Sequence, residues 1–395
     1  VSTSSSIGGT ERNLTRTLIL GAGFGGLTVA TELRRLLSVE HEIVLIDKRP
    51  DFLMGLRKLW ALVGLGSLEE GSRSRARLDQ PGIRFVEQEI LAIRPEGRAA
   101  QTSSGWNTAD YLVVALGAEP RPDLVPGLVE HAHNVWDARA VPGLMAALER
   151  FDGGRIAIVI AGVPYTCPPA PYECAMLLDD HLRELGLRDR TELVVTTVQP
   201  LLMPNAGAEG SEWLGRQLEA RSIDHHTRRK VERVEADRVI YADGELTFDL
   251  LIGVPPHRPP AVVTQSGLTG EGVWIAVDSA TLRTSHDQVY AIGDVTMVKL
   301  ANGLALPKAG VMAELEGRIV AAAIAAEVSG EDPPSPFDGQ GFCFMEMGKT
   351  SATLIEGEFF AAPEPRIQLR DVSETHAQEK HAFEAERLER WFGTD

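Results

Sequence analysis

Residues 15–47 read as a strand, a three-glycine turn, a helix and a second strand ending on an acid, and few folds accept that arrangement. TRTLIL, Thr15 to Leu20, is a short apolar run that closes on Gly21, Gly23 and Gly26. FGGLTVATELRRLLS follows with Leu27, Ala30, Leu33 and Leu37 at helical spacing, and Glu42 to Ile46 reads as a buried strand ending on Asp47. A GxGxxG turn alone is a weak signal. With a strand before it, a helix after it and an acid 21 residues beyond Gly26, it specifies a dinucleotide-binding βαβ unit. Gly21 permits the tight turn, Gly23 lets backbone approach a pyrophosphate, and Gly26 lets helix and strand pack closely. The helix N-terminus offers amides and positive dipole to phosphate, and Asp47 can accept from the ribose hydroxyls. The bland alternative, a glycine turn in an unliganded α/β fold, is set aside.

A second unit of the same kind begins at RIAIVIAG, Arg155 to Gly162, and a helical pattern PYECAMLLDDHLRELG comes after it. Between them stands GVPYTCPPAPYE, Gly162 to Glu173, which has lost the second and third glycines and carries Cys167. The next strand, TELVVTTVQP, ends without an acid before Gln199. A nicotinamide dinucleotide is therefore disfavoured there. Other readings along the chain are a strand and glycine turn in DYLVVALGAEPRP, a connecting helix VPGLMAALERF, and a hairpin in VERVEADRVIYADGE. VPPHRPP, Val254 to Pro260, marks a return crossing, and VWIAVDSATLRTSHDQVYAIGDV brings back strands and turns up to Asp294.

Composition bounds the partners. A 395-residue chain with 44% apolar content supports two or three packed domains. A formal charge of −17 argues against nucleic acid and against electrostatic docking on anionic lipid. No run of about 18 apolar residues is present, so no transmembrane helix is expected, and VSTSSSIGGTERN has no hydrophobic region of a signal peptide. A cytoplasmic or peripheral-membrane location follows as the expectation. Three cysteines, Cys167, Cys174 and Cys343, make no disulfide scaffold, and a redox pair is the more natural use of so few.

With these residues in view, the chain resembles the two-dinucleotide-domain flavoproteins that include disulfide reductases and type II NADH dehydrogenases. GAGFGG, YLVVALGA and TLRTSHDQVYAIGDV carry the match. The resemblance implies an α/β fold with two Rossmann-like domains, the second inserted in the first, and a small C-terminal α+β region. The implied division is 14–137 and 261–336 for the two segments of an FAD domain, 138–260 for the second, degenerate domain, and 337–395 for the C-terminal region. It also implies FAD, held non-covalently, with Asp294 on the ribityl chain. The implied contact set is Gly21, Gly23, Phe24, Gly25, Gly26, Asp47, Lys48, Ala115, Gly117, Gly293 and Asp294.

Within that family the chain looks most like the sulfide:quinone oxidoreductases and the flavin subunit of flavocytochrome c sulfide dehydrogenase. CPPAPYE, LPKAGVMAE (Leu306 to Glu314) and GFCFMEMG carry this closer match. It implies that Cys167 and Cys343 form a sulfur-handling pair across the flavin, with sulfide or a small thiol or persulfide as substrate and a quinone or another acceptor taking the electrons. Glu173 is the implied general base, against the reading of an ordinary first-turn carboxylate. Lys308 is implied to stabilise the reduced flavin at its pyrimidine edge, against a solvated surface lysine.

Independently of the resemblance, a cysteine just ahead of a helix N-terminus is expected to have its thiolate stabilised by the dipole. Pro168 and Pro169 would fix the helix entry. Cys174 reads as a buried small hydrophobe about two turns inside the helix, too far from Cys167 for a bridge, at about 10 Å along seven helical residues. Cys343 between Phe342 and Phe344 is otherwise a core cysteine on a strand. Departures from the relatives are a missing third cysteine in residues 110–150, which disfavours covalent flavin, and no secure catalytic histidine. His131, His133, His225 and His257 read as surface residues. The terminal EKHAFEAERLERWFG sets Phe383, Leu388, Trp391 and Phe392 to one side, which suits packing on the body or shallow membrane contact. Homo-oligomerisation is left open. The competing readings are a type II NADH dehydrogenase-like enzyme with Cys167 incidental, and a flavin redox sensor or partner subunit without turnover.

Overall fold

A computed structural model describes residues 15–332 and 334–394. The N-terminal VSTSSSIGGTERN and the expected boundary at residue 14 lie outside the described residues. The principal elements are β1 (Arg16–Leu20), α1 (Phe24–Leu36), β2 (Glu42–Asp47), α2 (Arg57–Leu62), β3 (Ile83–Glu87), β4 (Tyr111–Val114), β5 (Glu119–Pro120), α3 (Val141–Arg150), β6 (Gly154–Ile160), α4 (Ala170–Glu184), β7 (Thr191–Thr197), α5 (Gly207–Ala220), β8 (Ile223–His226), β9 (Leu250–Val254), β10 (His257–Arg258), β11 (Val289–Ala291), α6 (Gly310–Ser329), β12 (Gln340–Glu346), β13 (Ala352–Glu358), β14 (Arg366–Leu369) and α7 (Glu374–Phe392).

Two parallel sheets dominate. The first has the order β11-β4-β1-β2-β3, so a strand from residues 289–291 completes a sheet begun by the N-terminal segment. The second has the order β8-β7-β6-β9 and is built from the residues between. Their inner strands are buried on both faces, which is why they read as continuous Val, Ile and Leu runs rather than alternating ones. α1 joins β1 to β2 in the first sheet, and α4 and α5 join β6 to β7 and β7 to β8 in the second. The two passages of chain between the sheets run side by side: β5 pairs antiparallel with β10, Glu119 opposite Arg258 and Pro120 opposite His257.

The C-terminal region is an antiparallel sheet, β12-β13-β14, with α7 packed on it. Ser373 caps α7, its hydroxyl accepting from the His376 amide. Phe383 and Trp391 of α7 meet Phe24 of α1, the Trp391 ring edge-on with centroids 5.0 Å apart. Within VWIAVDSATLRTSHDQVYAIGDV the one regular strand is β11, and Ile275 makes an isolated bridge to Thr296. Among the described residues no helix is long and apolar enough to cross a membrane.

Candidate functional site

A cavity of about 1200 Å³ opens at the C-terminal ends of the first sheet, the place where α/β sheets hold nucleotides. Gly23, Phe24, Gly25, Lys48, Ala115, Gly117, Gly293 and Asp294 all line it. The glycines explain their own identity. A Cβ on Gly26 would stand 1.9 Å from the Gly21 carbonyl oxygen, and one on Gly21, at φ +98, would stand 2.4 Å from the Ala115 oxygen. Gly23 has nothing within 4 Å and faces the cavity, so its bare backbone is available to a diphosphate. Asp294 Oδ1 is shut off from solvent and has no hydrogen-bond partner, an orphaned acceptor of the kind a ribityl hydroxyl would satisfy. These residues fit a flavin dinucleotide.

Asp47 does not itself line that cavity. Its carboxylate accepts the Ala22 amide at 2.8 Å and the Arg49 amide at 2.9 Å, so it clamps the glycine turn to the loop after β2. Lys48 and Arg49 present themselves to the cavity instead.

A second cavity, about 290 Å³, adjoins the first and is lined by Cys167, Cys343, Glu173, Lys308, Lys58 and Lys380, among others. Phe24, Gly55, Lys58, Trp136, Asp294 and Gly310 line both. Cys167 sits in the turn before α4 with a left-handed backbone, φ +57, a conformation that a non-glycine residue adopts only when its surroundings impose it. Two hydrogen bonds do so: its amide donates to the Lys308 carbonyl at 2.7 Å and its carbonyl accepts the Ala170 amide at 3.0 Å. Cys343 lies in mid-strand on β12, opposite Ile355, and both cysteines are free thiols. Cys174 is also free, fully buried, and about one turn into α4 rather than two, because the helix starts at Ala170. Cys167 and Cys174 are not bridged, and the helix between them begins only at Ala170.

The expected dipole-stabilised thiolate is corrected by the structure. Burial pushes the Cys167 thiol well above the ordinary range, Glu173 and Cys343 add to the rise, and Lys380 and Lys58 oppose it. Cys343 is pushed up to about 12, again by burial first. The helix start has no amide to lend: Ala170 donates to Cys167, Tyr172 and Glu173 donate to the Pro169 carbonyl, and Pro168, Pro169 and Pro171 carry no N–H. The same fact removes the anion cradle that a second dinucleotide would need.

Glu173 is not a free first-turn carboxylate. Its Oε1 accepts the Glu346 amide at 2.9 Å and the Lys380 ammonium, while Lys380 also pairs with Glu346 Oε2 at 3.0 Å. The Trp60 indole donates to Glu346 as well. All four groups are buried. Burial, then the neighbouring Glu346, raises the Glu173 carboxyl against the pull of Lys380, and the two carboxylates push the Lys380 ammonium up. Sequence reasoning missed Lys380, Glu346 and Lys58. The available signal was Lys380 standing three residues before Phe383 on the apolar side of α7.

Lys308 is buried, so it is no solvated surface lysine. Its Nζ donates to the carbonyls of Asp294 at 2.8 Å and Thr296 at 2.7 Å and lies 3.7 Å from the Trp274 ring centre. The side chain is thus a clamp on the Asp294 turn, and burial lowers its pKa to about 8. Of the four histidines, His257 is 1% exposed, contrary to a surface reading, with Nδ1 3.0 Å from the Pro255 carbonyl. It lines neither cavity. Among the described residues no cluster of side chains is set to hold a metal.

The family model described as pyridine nucleotide-disulphide oxidoreductase matches residues 15–317. The mitochondrial sulfide:quinone oxidoreductase of Mus musculus is 22% identical over 372 residues, which is 90% of this chain and 80% of the mouse protein. The type II NADH:quinone oxidoreductase of Staphylococcus haemolyticus is 24% identical, over 80% of this chain and 83% of that protein. Among solved structures, the sulfide:quinone oxidoreductase of the hyperthermophilic bacterium Aquifex aeolicus superposes with a TM-score of 0.86 at 22% identity, over 96% of this chain and 92% of that one.

Proposed function

The chain belongs to the pyridine nucleotide-disulphide oxidoreductase family, and on that footing we propose that it oxidises sulfide or a related small sulfur species and passes the electrons through non-covalent FAD to a quinone. One observation carries the reading: Cys167 and Cys343, 176 residues apart in sequence, line one cavity that also contains Asp294 of the cofactor turn. The alternative use of the second domain, for a nicotinamide dinucleotide, meets a helix start whose amides are all taken or replaced by proline.

In the oxidised enzyme the pair is a disulfide. Hydrosulfide attacks one sulfur, a new S–S bond forms, the Cys167–Cys343 bond breaks, and the other cysteine leaves as thiolate with the electron pair of the broken bond. FAD, when bound, would supply a two-electron acceptor. Gly23 and the start of α1 would hold its diphosphate and Asp294 its ribityl chain, while Lys308 fixes the Asp294 turn. Glu173, hydrogen-bonded to Lys380 in the cavity of both cysteines, would take a proton from arriving hydrogen sulfide and so deliver the hydrosulfide that attacks. Phe342, Phe344 and Phe383, with mutual centroid distances of 5.9–6.3 Å, give an aromatic wall suited to a quinone ring.

Anaerobic titration decides it. Sulfide added to the FAD-loaded protein is expected to bleach the flavin, and NADH in a separate sample is expected not to. Bleaching by NADH and not by sulfide would overturn the proposal.

A further inference from the structure

Three lysines line the cavity of the two cysteines, and two of them are already committed. Lys380 is shared between Glu173 and Glu346. Lys308 is spent on the carbonyls of Asp294 and Thr296 and on the face of Trp274. Lys58, on α2, makes one hydrogen bond, to the Trp136 carbonyl at 3.0 Å, and has no carboxylate partner among the described residues. It stands where the two cavities meet. Trp136 in turn donates its indole N–H to the carbonyl of Thr166 at 2.9 Å, the residue before Cys167. Lys58 is therefore tied through one tryptophan to the cysteine turn, with ammonium donors to spare.

We propose that Lys58 is the counter-cation of Cys167, holding the negative charge that develops on its sulfur when the cysteine pair is opened; this rests on the sulfide-oxidising reading above. Hydrosulfide bonds to Cys343 Sγ and keeps its proton on the resulting persulfide. The Cys167–Cys343 bond breaks, and its electron pair departs on Cys167 as thiolate. Lys58 remains protonated throughout and exchanges no proton.

The charges around both groups make this the sensitive contact. Cys167 faces Glu173 from α4, Cys343 from β12, Lys380 from α7 and Lys58 from α2. Burial lowers the Lys58 ammonium and Arg49 adds to the fall, while negative charge on Cys167, and then Asp137, holds it up. Asp137 is itself held by Arg139, at 2.8 Å. Lys380 is bonded to two carboxylates, so of the two lysines that act on Cys167, Lys58 is the one with no carboxylate bonded to it among the described residues.

The test is the pH profile of Cys167 alkylation by iodoacetamide in FAD-loaded protein carrying Cys343→Ser, with the labelled peptide followed by mass spectrometry to separate it from Cys174. Adding Lys58→Met is expected to slow labelling at pH 7 about tenfold or more and to move the profile upward by about a unit or more. Adding Lys58→Arg is expected to return it towards that of the lysine protein. Superimposable Lys and Met profiles overturn the proposal, and so does a slowed Met protein that Arg fails to restore, since that outcome assigns Lys58 to packing alone. The two readings fail separately: sulfide that does not bleach the wild-type flavin ends the sulfide reading, whereas bleaching with unchanged Met labelling ends only the role of Lys58.

Discussion

Cys167 and Lys308 are joined main chain to main chain, the cysteine amide donating to the lysine carbonyl at 2.7 Å, while the lysine side chain holds the carbonyls of Asp294 and Thr296. One residue thereby fixes the sulfur turn of the second unit to the cofactor turn of the first. Replacing the side chain leaves the first bond and removes the other two. Lys308→Met is therefore expected to fold but to bind FAD at least about tenfold more weakly, given about 1.5–3 kcal/mol for each charged hydrogen bond. Fluorescence titration of the apoprotein measures it, and an unchanged affinity would show that the Asp294 turn stands without the clamp.

The glycines separate folding from binding. Gly26→Ala places a methyl 1.9 Å from the Gly21 oxygen and is expected to cost soluble protein. Gly23→Ala meets no protein atom within 4 Å, so the chain should fold normally and lose FAD. Circular dichroism and bound-flavin absorbance on the two variants check the contrast.

Cys167→Ser and Cys343→Ser should each retain bound FAD and abolish its bleaching by sulfide. A serine variant that still bleaches at the wild-type rate would remove that cysteine from the chemistry.

Lys380→Met leaves Glu173 and Glu346 facing each other in the interior. Loss of one partner from a buried ion cluster is expected to destabilise by about 3–5 kcal/mol. Urea unfolding of Lys380→Met beside Lys380→Met with Glu173→Gln provides the check, the double variant recovering part of the loss.

Burial lowers the imidazole of His257 from 6.5 to about 4. Between those values the unfolded chain binds a proton that the folded chain refuses, so stability is complete above about pH 6.5 and falls as pH drops towards 4. The gap corresponds to about 3 kcal/mol. His41, also held at about 4 by burial, acts in the same direction. His257→Gln is expected to shallow the decline of denaturant stability over that range by about one proton, and an identical decline would place the acid sensitivity elsewhere.

The local signals were legible because each is set by the nearest few residues. Gly21, Gly26 and the run into Asp47 are dictated by a turn and two strands, and the second unit's missing glycines between Gly162 and Glu173 were visible in the same local way. Cys343 could be paired with Cys167 only through resemblance, since nothing local to β12 points at α4. Lys380 and Glu346 were hidden for the same reason: their role exists only once α7 closes over β12 and sets them against Glu173. The thiolate expectation failed on a tertiary effect, because burial and consumed amides outweigh a dipole inferred from sequence. His257 looked exposed since a Pro-rich crossing resembles a loop, yet it is a residue of β10 itself, paired with Pro120 of β5 and buried.

That paired crossing has an evolutionary consequence. Because the chain leaves and re-enters the cofactor-binding part as neighbouring strands, Glu119–Pro120 beside His257–Arg258, everything between them forms a cassette with adjacent ends. Such a cassette can carry a different turn, here a proline-fixed cysteine where the first unit has glycines, without altering the strand order of the first sheet. The chain can inherit its cofactor and its substrate chemistry on separate terms.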